Sequence, residues 1–212
     1  SASVKDVNAA DGTDGPTSGL GNIALLSSTT YMTGGTVTAA TSGTRNAGTI
    51  TMTTTGNTVS LAGGSSITSA TTGAGNAGQV ILTTPALSLN DATITTSTSS
   101  TGNAGGITAN VGTLTLTNAA EIASSSTGAA TGAAGSVTIQ GLASPADAVT
   151  LTNSSLRTSA DSTGRGGSIT VDATNVTLNG ATISASVKDV NAADGTDGPT
   201  SGIDNIALSS ST

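Results

Sequence analysis

The sequence has no cysteine and no histidine, its single tyrosine (Tyr31) is the only aromatic residue, and four prolines are spread over 212 residues. Each shortage excludes something. Without cysteine there is no disulfide framework, although a secreted bacterial protein needs none. Without histidine or cysteine, transition-metal sites and most nucleophilic sites lose their usual ligands and bases. Without aromatic rings a core loses its largest contributors of buried area, so packing must come from Ile, Val, Leu and Ala. Charged residues make up only 8% of the chain and the net charge is −7. An acidic balance argues against nucleic acid, which selects basic surfaces. No apolar run is long enough to span a membrane and no signal peptide is evident.

What is abundant is Thr, Ser, Gly, Ala and small aliphatics. Such a composition invites a reading as disorder. The low charge density and the fixed spacing of the aliphatic residues argue against it. β-Branched enrichment points to strands, and recurring glycine with no helical periodicity argues against helix.

The strongest internal signal is repetition. Ser1 to Gly19, SASVKDVNAADGTDGPTSG, return unchanged as Ser184 to Gly202, an offset of 183 residues. Inside that long period lies a shorter one, marked by a glycine, a polar residue and a β-branched aliphatic. It begins at Gly21, Gly48, Gly78, Gly105, Gly135 and Gly167, with Asp204 in the glycine position of the seventh start. The spacings of 27, 30, 27, 30, 32 and 37 residues fill the long period, so six short units make one superrepeat. The reading is one continuous repeat region over 1–212, with 1–183 as the six-unit superrepeat and 184–212 as the start of the next copy.

Each unit carries three period-two segments, the pattern of short half-buried strands. The expected inward residues of the first segment are Ile50 with Met52, Val80 with Leu82, Ile107 with Ala109, Val137 with Ile139, and Ile169 with Val171. Those of the second are Val59 with Leu61, Leu87 with Leu89, Leu114 with Leu116, Val149 with Leu151, and Val176 with Leu178. In the first unit Thr30 and Met32 hold those places. The third segment is centred on Val37, Ile67, Ile94, Ile122, Leu156 or Ile183. Three strands per unit of about thirty residues match one coil of a single-stranded parallel β-helix, and six to seven coils are expected. Small inward residues such as Ala39, Thr96 and Ala185 suit its corners. Asn46, Asn76, Asn103, Asn153 and Asn179 are expected to supply left-handed bends.

The units GNAGQVILTTPALSLNDATITTSTSSTGNAGG and GRGGSITVDATNVTLNGATISAS resemble repeats of the filamentous haemagglutinin family, large exoproteins of diderm bacteria exported by two-partner secretion. The resemblance runs over essentially the whole chain. It implies an all-β, right-handed parallel β-helix serving as a stalk or adhesive fibre, secreted and displayed at the bacterial cell surface. An open coil end would template pairing, so continuation or association with further copies, end to end or by lateral bundling, is expected, as is contact with surface carbohydrate or another cell.

Chemistry finds little purchase in these residues. Polysaccharide-processing β-helices need paired carboxylates or an acidic cluster with a base. Asp91, Glu121, Asp147, Asp161 and Asp172 fall at different positions of their units, as do Arg45, Arg157 and Arg165. Solvated surface charge is the plainer reading, and no enzyme and no cofactor are expected. Seven of the twelve carboxylates lie in or just after the two copies of the duplicated loop: Asp6, Asp11, Asp14, Asp189, Asp194 and Asp197 within them, and Asp204 two residues beyond. Asp11, Asp14, Asp194 and Asp197 there could offer oxygen ligands to calcium. The spacing fits neither an EF-hand nor a calcium-binding nonapeptide, and turn geometry explains the Asp-Gly pairs.

Two surface readings remain. Thr36 and Thr38, Ser66 and Thr68, and Thr93 and Thr95 begin a hydroxyl ladder of the kind an ice- or crystal-binding face would need. Glu121 and Ala123, then Ser155 and Arg157, interrupt it, and ordinary β-propensity explains the threonines. Leu26 and Ile81 read as outward aliphatics that could mark lateral contacts between rods.

Overall fold

In the computed structural model, residues 21–143, 145–161, 164–187 and 206–209 are described. They form an all-parallel β-solenoid of about six turns, with no helix among them. Coil one contains β1 (Ile23–Ser27), β2 (Thr30–Thr33) and β3 (Thr36–Thr41); coil two contains β4 (Ile50–Thr54) and β5 (Thr58–Thr71). Coil three is a single bent strand, β6 (Val80–Thr98), and coil four holds β7 (Ile107–Thr117) and β8 (Glu121–Ser126). Coil five comprises β9 (Val137–Gln140), β10 (Ala146–Thr152) and β11 (Ser155–Ala160). Coil six comprises β12 (Ile169–Asn179) and β13 (Thr182–Val187), and β14 (Ile206–Ser209) begins the next turn.

The three segments of a coil thus run together wherever the corner between them keeps its backbone pairing. Every pairing is parallel and joins neighbouring coils. Because side chains alternate with period two, this register stacks like positions into columns. One column reads Ile23, Ile50, Val80, Ile107, Val137, Ile169, Ile206. Two residues along the same strands runs its companion: Leu25, Met52, Leu82, Ala109, Ile139, Val171, Leu208. A third column reads Met32, Leu61, Leu89, Leu116, Leu151, Leu178. A fourth reads Val37, Ile67, Ile94, Ile122, Leu156, Ile183.

From Ile50 to Val171 the expected inward aliphatics are buried in one continuous core. Leu82 and Ile139 are fully buried there, on either side of the smaller Ala109. Ala92, Val111, Ala120, Ala146 and Ala173 are buried with them in the same core. Three expected core positions on coil six depart from this pattern. Leu178 is 47% exposed, and Val176 and Ile183 are only half-buried. They do lie along the core columns, but no described residue stacks on their outer edge. Burial here needs a coil on both sides.

The bends also differ from expectation. Asn46, Asn76, Asn103 and Asn179 do not take up positive φ. Apart from Gly128 in the loop after β8, the described left-handed residues lie instead at the corner between the second and third segments, in every coil. They are Gly34, Gly63 with Gly64, Asp91, Asn118 with Ala119, Asn153 and Gly180, at φ from 48° to 76°. Of the five asparagines proposed for bends, only Asn153 has this role. Residues with short polar side chains or none tolerate the αL conformation best, which accounts for all of these except Ala119.

Candidate functional site

The repeated chemistry of this solenoid is concentrated at the corner where each coil closes, around the recurring Asn-Ala-Gly. The glycine comes first. A methyl group on Gly78 would fall on the carbonyl of Gly48, and one on Gly105 on the carbonyl of Gly78. The same holds for Gly135 over Gly105 and Gly167 over Gly135. Only a residue without a side chain lets consecutive coils approach this closely. The alanines beside them (Ala47, Ala77, Ala104, Ala134) turn inward and are buried.

The asparagines form a ladder along the outside of the same corner. The backbone N–H of Asn76 donates to Asn46 Oδ1 at 2.9 Å, that of Asn103 to Asn76 Oδ1 at 2.8 Å, and that of Ala133 to Asn103 Oδ1 at 2.8 Å. Thr49 N–H donates to Asn22 Oδ1 in the same manner, at 2.8 Å. Each side chain thereby satisfies a backbone donor of the following coil that the β-ladder leaves over.

Inward hydroxyls hold the corner from within. Thr41 donates to the Arg45 carbonyl at 2.8 Å, Thr71 to Gly75 at 2.6 Å, Thr98 to Gly102 at 2.5 Å and Ser126 to Gly132 at 2.6 Å. A neighbouring column does the same for the closing glycine. Gly78 N–H donates to Ser69 Oγ and Gly135 N–H to Ser124 Oγ, both at 2.8 Å, while Thr158 donates to the Gly167 carbonyl at 3.0 Å. Thr71, Thr98, Ser126, Ser69, Ser124 and Thr158 are all buried. Ser69, Ser124 and Thr158 lie in the column of Ala39, Thr96 and Ala185, the small inward residues expected from sequence; the neighbouring Thr71, Thr98 and Ser126 are not singled out there, although their spacing from the next glycine could have placed them.

The outer faces carry polar rows. On the third face, Thr36, Ser66 and Thr93 align and give way to Glu121 and Ser155. Beside them Thr38, Thr68 and Thr95 give way to Ala123 and Arg157. The interrupting residues meet each other: Arg157 Nη1 lies 3.6 Å from Glu121 Oε1, and Ser155 Oγ donates to that oxygen at 3.4 Å. The second face holds a row not singled out from sequence, Thr115–Thr150–Thr177, flanked by Thr117–Thr152. On the first face Ile81 stands between Thr51 and Thr108, and an amide row runs from Gln140 Nε2 to Asn110 Oδ1 at 2.8 Å. Leu26 and Tyr31 are 78% and 71% exposed on coil one.

The acidic residues are distributed. Asp91 occupies a left-handed bend of coil three, Glu121 the third face of coil four, Asp147 the start of β10, Asp161 the position just after β11 and Asp172 the first face of coil six. Among the described residues no three acidic side chains gather into a metal-binding group. The proposed calcium ligands Asp11, Asp14, Asp194 and Asp197 lie outside the described residues. Among the described residues no helix is long and apolar enough to cross a membrane. This arrangement presents hydroxyl and amide rows on its outer faces and brings Glu121 and Arg157 together on the third. No protein-family model matches the chain, and neither does any curated protein or solved structure.

Proposed function

We propose that this chain is a segment of an extracellular structural or adhesive fibre, a stalk or filament of a bacterial surface exoprotein. The observation that carries the reading is the unbroken column from Ile23 to Ile206, in which every coil pairs in parallel with the next. Such a stack shares load across a continuous hydrogen-bond ladder, and each coil is stable only through its neighbours. Its side chains project as regular rows, so any contact with carbohydrate or another cell would use the outward faces. The likeness of the repeats to filamentous haemagglutinin repeats supports secretion to the cell surface.

Electron microscopy of the native material tests this. Thin rods with an axial coil spacing of about 4.8 Å and a superrepeat of about 29 Å are expected. Short isolated particles with a concave groove would overturn the fibre and leave polysaccharide processing as the activity to assay.

A further inference from the structure

Asn179-Gly180 is the only place in the chain where an asparagine is followed by glycine. The pair stands at the corner between the second and third segments of coil six, with Asn179 the last residue of β12. The fold asks for glycine there on two counts. Gly180 takes φ +60°, and a Cβ on it would fall 2.4 Å from Asn153 Oδ1 of the coil before. Only glycine meets both demands without strain. The same bareness gives the Gly180 nitrogen no neighbouring side chain to screen it from the amide of Asn179.

This corner is open to solvent along the rod. Asp91, Asn118 and Asn153 hold the equivalent bends of coils three, four and five, and they are exposed with a coil on either side. Asn179 and Gly180 are exposed in the same way. Every other asparagine is followed by a residue with a side chain. Asn22, Asn46, Asn76 and Asn103 are held further, because each Oδ1 accepts a backbone N–H of the next coil.

We infer that Asn179 is a self-modification site, which loses its side-chain amide without an enzyme. The Gly180 nitrogen attacks Asn179 Cγ, and the new C–N bond closes a succinimide ring. The Cγ–Nδ2 bond breaks, and the amide departs as ammonia with the proton given up by the Gly180 nitrogen. Water then adds to either ring carbonyl and opens it. One product is aspartate. The other is isoaspartate, in which the main chain runs through Cβ and Cγ and is longer by one carbon.

The change reaches the neighbouring coil. The Asn179 carbonyl accepts the backbone N–H of Asn153 at 2.8 Å, and Asn179 pairs with Thr152 where the β10–β12 ladder ends. In isoaspartate that carbonyl becomes a carboxylate on a side branch, and the added carbon moves Gly180 away from Asn153 Oδ1. Coils five and six are thereby loosened at one corner, while the buried columns beneath it keep their pairing.

Peptide mass mapping of the 212-residue chain during storage in warm neutral buffer tests the site. The mass gain of an amide-to-acid exchange is expected at Asn179 ahead of every other described asparagine, with isoaspartate and aspartate peptides separating on chromatography. As isoaspartate accumulates, the Asn153 N–H is expected to lose its protection from hydrogen exchange. Asn179→Gln keeps an amide but has to close a larger ring, so it should stay intact and keep Asn153 protected. Freshly prepared Asn179→Asp carries the charge without the added carbon and should also keep that protection. Amide loss that reaches Asn46, Asn76 or Asn103 first, or that occurs at Asn179 only in urea, would overturn the assignment.

Discussion

The side-chain oxygen of Asn76 accepts the backbone N–H of Asn103 at 2.8 Å, while the backbone N–H of Asn76 itself donates to Asn46. Each asparagine is thus both the support of the following coil and the dependant of the preceding one. Replacing Asn76 with alanine removes one acceptor at a solvent-exposed corner, where water can take its place. The expected loss is about 1 kcal/mol, read as a fall in Tm by calorimetry. Alanine at Asn46, Asn76 and Asn103 together should cost more than the sum of the three singles, because the ladder is shared.

Gly78→Ala puts a methyl group onto the Gly48 carbonyl. Backbone has to move in two coils, and a loss of about 3 kcal/mol is expected. Gly128→Ala separates crowding from backbone strain. Gly128 has φ +67° with nothing near its added Cβ, so only the left-handed conformation is penalised, by about 1 kcal/mol. Equal destabilisation of the two variants in urea titrations would contradict the close-packed corner.

Ile94 is fully buried in its column between Ile67 and Ile122. Ile94→Val should cost about 1 kcal/mol through one lost methylene. Ile94→Asp should cost several times as much, since the carboxylate has no partner there. Unchanged thermal unfolding of the aspartate variant would refute the inward assignment.

Thr71 is buried and its hydroxyl donates to the Gly75 carbonyl at 2.6 Å. Thr71→Val keeps the shape and β-branching but leaves that carbonyl without its inward donor. A loss of about 2 kcal/mol is expected. Thr115→Val, on the outer face, serves as the control and should change stability by less than about 0.5 kcal/mol.

The Arg157–Glu121 pair is solvent-accessible and long at 3.6 Å. Exposed pairs of this kind contribute little. Glu121→Gln is expected to shift stability by less than about 0.5 kcal/mol, with no added dependence on salt between dilute and concentrated buffer.

The sequence by itself determined the coil. Period-two alternation states which side chains face inward, and the interval between Gly-x-aliphatic starts states how much chain makes one turn. Together these place Ile67, Ile94 and Ile122 in one column, and Leu82 and Ile139 in another, before any coordinates are seen. They do so because parallel stacking leaves each position no neighbour other than its counterpart in the next unit. What only the tertiary structure decided concerns residues whose role depends on another coil. Asn46, Asn76 and Asn103 read as bend residues because asparagine tolerates positive φ, yet their partners are backbone donors a full coil away, which no local pattern encodes. Thr96 reads as a small inward corner residue, but that Ser69, Thr71 and Thr98 are buried on closing glycine amides and carbonyls only the packed coil shows. Leu178 reads as core because its own unit places it inward. Its exposure depends on the coil beyond it, and burial is a property of two neighbours rather than of one residue.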